Sequence, residues 1–197
     1  MRVDQVEVSA IYMHVDRAND MTDTKTRILD LAESLTQTKG INGFSYIDLA
    51  NGVGIKTASV HYYFKLKDDL ADALVKRVHD NHSEGFEAIE TGNDVAVERL
   101  EAVIAYFQNY VAEQKFCLCG MMAAEMQSVS PRVAQSVRSY FADFQKWLER
   151  QFAAAGRSEP SRSALSFLSA LEGSLLLARL NDDPSIIADA LHGFVKA

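Results

Sequence analysis

Two cysteines, three prolines and a single tryptophan are all that a chain of 197 residues holds of these types. So few cysteines exclude a disulfide scaffold, and with no signal peptide in the opening residues they predict a reducing, cytoplasmic setting. Scarce proline excludes collagen-like repeats and proline-rich disorder. Strand-forming runs are also missing, whereas stretches rich in Ala, Leu, Glu and Lys favour helix. The longest apolar stretch, residues 164–180, is broken by Glu172 and ends beside Arg179. A buried helix is predicted there, with no membrane partner. No nucleophile with its base, no carboxylate pair and no metal-ligand set stands out, which predicts a protein that is not an enzyme and carries no cofactor and no metal.

A net charge of -7 argues at first against a nucleic-acid partner, since phosphate binding needs clustered Lys and Arg. The distribution reverses that. Residues 22–67 hold six basic against four acidic side chains, whereas residues 68–197 hold twelve against nineteen. A mildly basic segment joined to an acidic one suits a part that faces DNA and a part that does not.

The basic segment carries a pattern of its own. Ile28, Leu31, Ala32 and Leu35 share one helical face, Asp23 or Thr24 caps the start, and Gly40 with Asn42-Gly43 ends the helix. Ser45 and Asp48 have capping-box spacing, with Phe44 placed to staple onto Leu49, so a short helix begins at Tyr46. Gly54 stops it, Ala50 leaves room for a neighbour, and a second short helix runs from about residue 56 to 63. Two short helices around a glycine turn describe a helix-turn-helix. On the second of them Lys56, Thr57, Ser59, His61 and Tyr62 offer donors, Val60 and Phe64 are spaced to pack inward, and the short Ala58 and Ser59 let the backbone approach a duplex. A helical hairpin whose polar residues merely meet water is the competing reading, and with it a helical interaction module that binds no DNA.

Residues 26–70 resemble the DNA-binding domain of the TetR family of transcriptional regulators: TRILDLAESL, IDLANGVGI, KTASVHYYF and KLKDDL follow in the family's order. The resemblance implies that Lys56, Thr57, Ala58 and Ser59 lie at the major groove, and that His61, Tyr62 and Tyr63 form an aromatic cluster touching phosphates and bases. It also implies that Ser45 and Tyr46 meet a phosphate at a helix N-terminus and that Lys67 holds another. Three departures stand out. Asn51 and Gly52 weaken the first short helix, Lys56 and His61 replace the more frequent Ser and Tyr, and Leu66 stands where a capping Ser or Thr is usual, leaving Asp68 and Asp69 to meet the helix dipole.

The expected fold is therefore all-α: an N-terminal three-helix helix-turn-helix domain over residues 22–67, then a helical effector-binding and dimerisation domain over 68–197. Residues 1–21 read as a flexible tail or as an over-extended start before Met21. The expected partners are a double-stranded DNA operator, a second copy of the chain, and a small-molecule effector that releases a repressor from its operator. Tyr106, Phe107, Tyr110, Phe116, Cys117, Met121, Met122, Glu125, Met126 and Phe144 form the candidate effector-pocket wall, against plain core packing for each alone. Cys117 and Cys119 are read either as buried structural thiols or as a redox or electrophile sensor. His79 and His82, at i and i+3, are read as a solvated face rather than as metal ligands. The apolar helix at residues 163–180, with Ala170, Gly173 and Ser174, resembles the family's dimer-forming helices.

Overall fold

The computed structural model describes residues 24–112 and 116–195. The expectations for residues 1–21 and for Asp23 as a cap lie outside them. Every regular element among the described residues is helical: α1 (Thr24–Lys39), α2 (Tyr46–Val53), α3 (Thr57–Tyr63), α4 (Lys67–Gly92), α5 (Ala96–Ala112), α6 (Leu118–Ala124), α7 (Pro131–Ala154), α8 (Pro160–Asn181) and α9 (Ser185–Val195).

The first three helices make a small head. α1 buries Ile28 and Ala32, while Gly40 at φ 80° takes the left-handed turn that ends it. Gly52, which weakens α2 by propensity, has a packing reason: a Cβ there would lie 2.4 Å from Leu31 Cδ2, so the missing side chain lets α2 lie close on α1. Ala50 is buried as well.

Behind the head, α4 runs 26 residues and buries Leu70, Leu74, Val78, His82, Phe86 and Ile89 on one stripe. α5 contributes Leu100, Val103, Ile104, Phe107 and Val111, and α7 opens on Ser130 as N-cap and Pro131 in its first turn, a position that suits proline because its missing amide has no partner to lose there. α8 differs from its expectation. At 22 residues it is long and apolar enough by length and composition to cross a membrane, and only 39% of its most apolar window is buried. One face, with Phe167, Leu171, Leu175 and Ala178, packs inward, and Leu165, Leu176, Leu177 and Leu180 stay exposed.

Candidate nucleic-acid interface and effector domain

α2 begins with a complete capping box. Ser45 Oγ accepts from the Asp48 amide at 3.3 Å, and Asp48 Oδ2 accepts from the Ser45 amide at 2.7 Å. The Ser45 hydroxyl also donates to Asp48, and these bonds hold the Asp48 carboxyl below its ordinary range. α2 stops at Gly54, φ 77°, whose amide returns to the Ala50 carbonyl. Ser45→Ala is expected to lower stability by about 1 kcal/mol through loss of this cap. A urea midpoint equal to that of the parent protein would contradict it.

α3 buries Val60 and leaves Lys56, Ala58, His61 and Tyr62 exposed, with Thr57, Ser59 and Tyr63 half-buried. The Phe64 carbon frame is buried at the helix end, as its spacing predicts. Tyr62 is 79% exposed and meets Tyr63 edge to face, so its phenol projects from the head. His61 packs edge-on against Tyr46 at 4.7 Å. The Tyr46 hydroxyl is buried with no hydrogen-bond partner, and burial together with the Asp69 and Asp68 charges pushes its pKa up to about 12. The Tyr46 ring thus supports His61, and its hydroxyl is turned inward.

Lys67 opens α4 and points back into the head. Its ammonium donates to the Phe44 carbonyl and lies 4.4 Å from the Phe44 ring, and partial burial lowers its pKa. Sequence reasoning gave Lys67 to a phosphate alone and missed this clasp. At the same turn Asp69 accepts from the Leu66 amide at 3.0 Å, the half of a capping box that does not need a polar side chain at Leu66.

The candidate pocket wall divides in three. Tyr106, Phe107, Tyr110 and Phe144 gather around His82, with ring centroids 5.4, 5.6 and 5.9 Å from the imidazole for Tyr106, Phe107 and Tyr110, and Phe107 to Phe144 stacked at 5.8 Å. Phe116, Cys117 and Met122 are buried on the side of α6 and α8. Met121 and Met126 are half-buried, and Glu125 turns away to the head, where it accepts from Asn42 Nδ2 at 2.6 Å.

The reading of His82 as solvated is corrected. It is 2% exposed, with Nδ1 2.8 Å from the Tyr140 hydroxyl and Nε2 3.0 Å from that of Tyr110. Burial, with His79 adding to it, pulls its pKa down to about 3, so it is neutral and both nitrogens are committed. His79 faces Asp143 instead, at 3.4 Å. No group of three or more metal-ligating side chains occurs among the described residues. Beside His82 a groove of about 520 Å³ runs between α4 and α7, floored by Phe86, Phe144 and Trp147. Phe86 stacks on Phe144 at 4.7 Å and on Trp147 at 4.9 Å, and the Trp147 indole N–H is buried without an acceptor.

Cys117 and Cys119 are free and buried. Burial, Glu172 and each other's proximity push the Cys117 thiol well up, and burial and Glu172 do the same to Cys119. This is the opposite of the exposed, low-pKa thiolate that a sensor needs. Cys117 Sγ instead caps α6 by accepting from the Gly120 amide at 3.3 Å.

The comparisons agree with this layout. Residues 28–74 match the bacterial regulatory proteins of the tetR family, and residues 96–191 match the C-terminal domain of LmrA/YxaF-like transcriptional regulators. The fold is similar to a TetR transcriptional regulator from Legionella pneumophila, 31% identical, with 89% of this chain and 97% of that one covered and a TM-score of 0.85. It is also similar to a TetR-family regulator from Agrobacterium tumefaciens, at 28% identity, 87% and 95% coverage and a TM-score of 0.83. An uncharacterized HTH-type transcriptional regulator from Lactococcus lactis subsp. lactis is 22% identical over 181 residues, 85% of this chain and 89% of its own length. The helix-turn-helix head, the helical rear part and these matches together place the chain in one group: it belongs to the TetR family and is a DNA-binding transcriptional regulator.

Proposed function

We propose that the chain is a homodimeric repressor, released from its operator by a small molecule, and that it has no catalytic activity. The observation that carries this is the head itself. A capped α2 and a glycine turn hold α3 with Lys56, Thr57, Ala58, Ser59 and Tyr62 outward, which suits major-groove reading. The division of labour is residues 22–67 for DNA and 68–197 for effector and dimer.

The exposed leucines of α8 support pairing with a second copy, since an apolar row on a packed helix calls for a cover. The aromatic floor of the α4–α7 groove, with the ring cluster around His82 beneath it, supports an effector of aromatic or lipophilic character. A ligand that wedges between α4 and α7 shifts the helix that carries Lys67 and hence the head, and differential affinity for the two positions is the switch. A cytoplasmic setting goes with this reading, as do two thiols that remain free.

Gel shift with the duplex upstream of the protein's own reading frame tests the proposal. Sequence-specific binding is expected, with Thr57→Ala and Tyr62→Ala changing preference among operators. Lys67→Ala is expected to weaken all sequences alike and to flatten the salt slope by about one unit. Binding that ignores sequence, or none at low salt, would refute the repressor.

A further inference from the structure

The head is held against the rear domain by more than its continuous connection into α4. Two polar grips reach it from elsewhere, and both close on the same few residues. From α8, Arg179 lays its guanidinium across the end of α1: Nη1 donates to the Gln37 carbonyl at 3.0 Å and Nη2 to the Thr38 carbonyl at 3.1 Å. These belong to the last turn of α1, where carbonyls lack partners within the helix and the dipole favours a cation. The guanidinium is itself steadied by the Phe116 ring, 5.8 Å away. From the end of α6, Glu125 Oε2 accepts from Asn42 Nδ2 at 2.6 Å and from the Asn42 backbone amide at 3.4 Å, and Ser128 Oγ accepts from Asn42 Nδ2 at 2.9 Å. Gly40 lies between the grips, and a Cβ there would stand 1.9 Å from Glu125 Oε1. Only a residue without a side chain lets the carboxylate come so near.

We propose that Arg179 and Glu125 are positioning residues for DNA recognition: by fixing the end of α1 and the turn after it, they set the angle of the head and so the half-site spacing that the dimer accepts. The geometry favours this over simple stabilisation. Both side chains reach from the rear helices to the head with polar bonds rather than filling the core that the two parts share, and Arg179 is half-buried at the border between the packed face of α8 and its exposed row of Leu176, Leu177 and Leu180. A contact that starts beside the exposed row and ends on the head links the arrangement of two copies to the separation of two α3 helices. The inference rests on the reading of two heads on one operator.

The test uses the full chain and an operator that it selects from a random duplex pool, remade with the half-site separation lengthened or shortened by one base pair. The wild type is expected to prefer the selected spacing by about tenfold or more. Arg179→Ala is expected to narrow that preference to within about threefold, chiefly by weakening the selected duplex. Arg179→Lys, which keeps one donor, falls between. Asn42→Ala, an exposed change on the head side, gives the same narrowing if Arg179→Ala fails to fold. Equal loss on all three duplexes, or an unchanged preference, would overturn the proposal. One chain per duplex in the wild-type complex would remove the two-headed reading beneath it, whereas two chains with equal loss would overturn the grip alone.

Discussion

Replacing Phe107 with alanine is expected to remove about 3–5 kcal/mol of stability, a large share of the roughly 5–15 kcal/mol that a domain of ordinary size possesses. Phe107 is fully buried and meets Tyr106 at 5.2 Å, His82 at 5.6 Å and both Tyr110 and Phe144 at 5.8 Å between ring centroids. None of these neighbours is free to fill the gap. His82 is tied through both nitrogens to Tyr140 and Tyr110, and Phe144 is stacked on Phe86. A rigid surround leaves the cavity open, which places the cost toward the upper end of the range for such truncations. Urea denaturation should show the midpoint falling with the slope unchanged. A loss below about 1 kcal/mol would mean that the ring cluster relaxes, contrary to its hydrogen bonding.

The second large effect is a dependence on pH that the native protein conceals. His82 takes up a proton near pH 6.5 when unfolded but only near pH 3 when folded. Between those values the unfolded chain binds more protons, so stability falls as pH falls, by about 1.4 kcal/mol per unit. Glu172 acts in the opposite sense. Burial raises its carboxyl from 4.5 to about 7, partly offset by the Cys117 thiol that donates to it, and its Oε1 is buried without a partner. From 4.5 to 7 the folded state holds the extra proton, so stability falls as pH rises, at about the same rate. The two slopes overlap between pH 4.5 and 6.5 and nearly cancel. Glu172→Gln removes one of them, and the variant is expected to gain about 2–3 kcal/mol on going from pH 4.5 to 6.5, whereas the parent curve stays flat. Urea midpoints at three pH values decide it, and a flat variant would show that His82 does not carry the predicted linkage.

Legibility in the sequence followed the range of the interactions. Ser45 with Asp48, Gly54 in the turn, and Val60 with Phe64 facing inward are contacts within a few residues, and they stand in the structure as their spacing implies. The apolar stripes of α4, α5 and α7 are of the same local kind, because burial of one helical face repeats every turn. Long-range polar partners were not. His82 looked solvated beside Asp80 and Glu84, and the tyrosines that bury it lie 28 and 58 residues away. Glu125 sits among methionines in the chain yet answers to Asn42, 83 residues earlier. Glu172 read as a break in an apolar run, when in the fold it lies against Gly120, where a Cβ would stand 2.6 Å from its Oε2. Arg179 read only as the charged end of that run, and nothing local to it signals a bond to α1. Periodicity records which face is inside, and it is silent on which polar group meets which.

Trp147 is the only tryptophan in the chain, and the head at residues 24–66 contains tyrosines but no indole. Buried at 5% exposure and stacked on Phe86, it emits from the α4–α7 seam alone. Tryptophan fluorescence during denaturation thus follows the rear domain, whereas far-ultraviolet circular dichroism follows helices in both halves. Coincident curves mean that the shared core, with the grips on Gln37, Thr38 and Asn42, binds the halves into one cooperative unit, and separated curves mean that the head melts on its own.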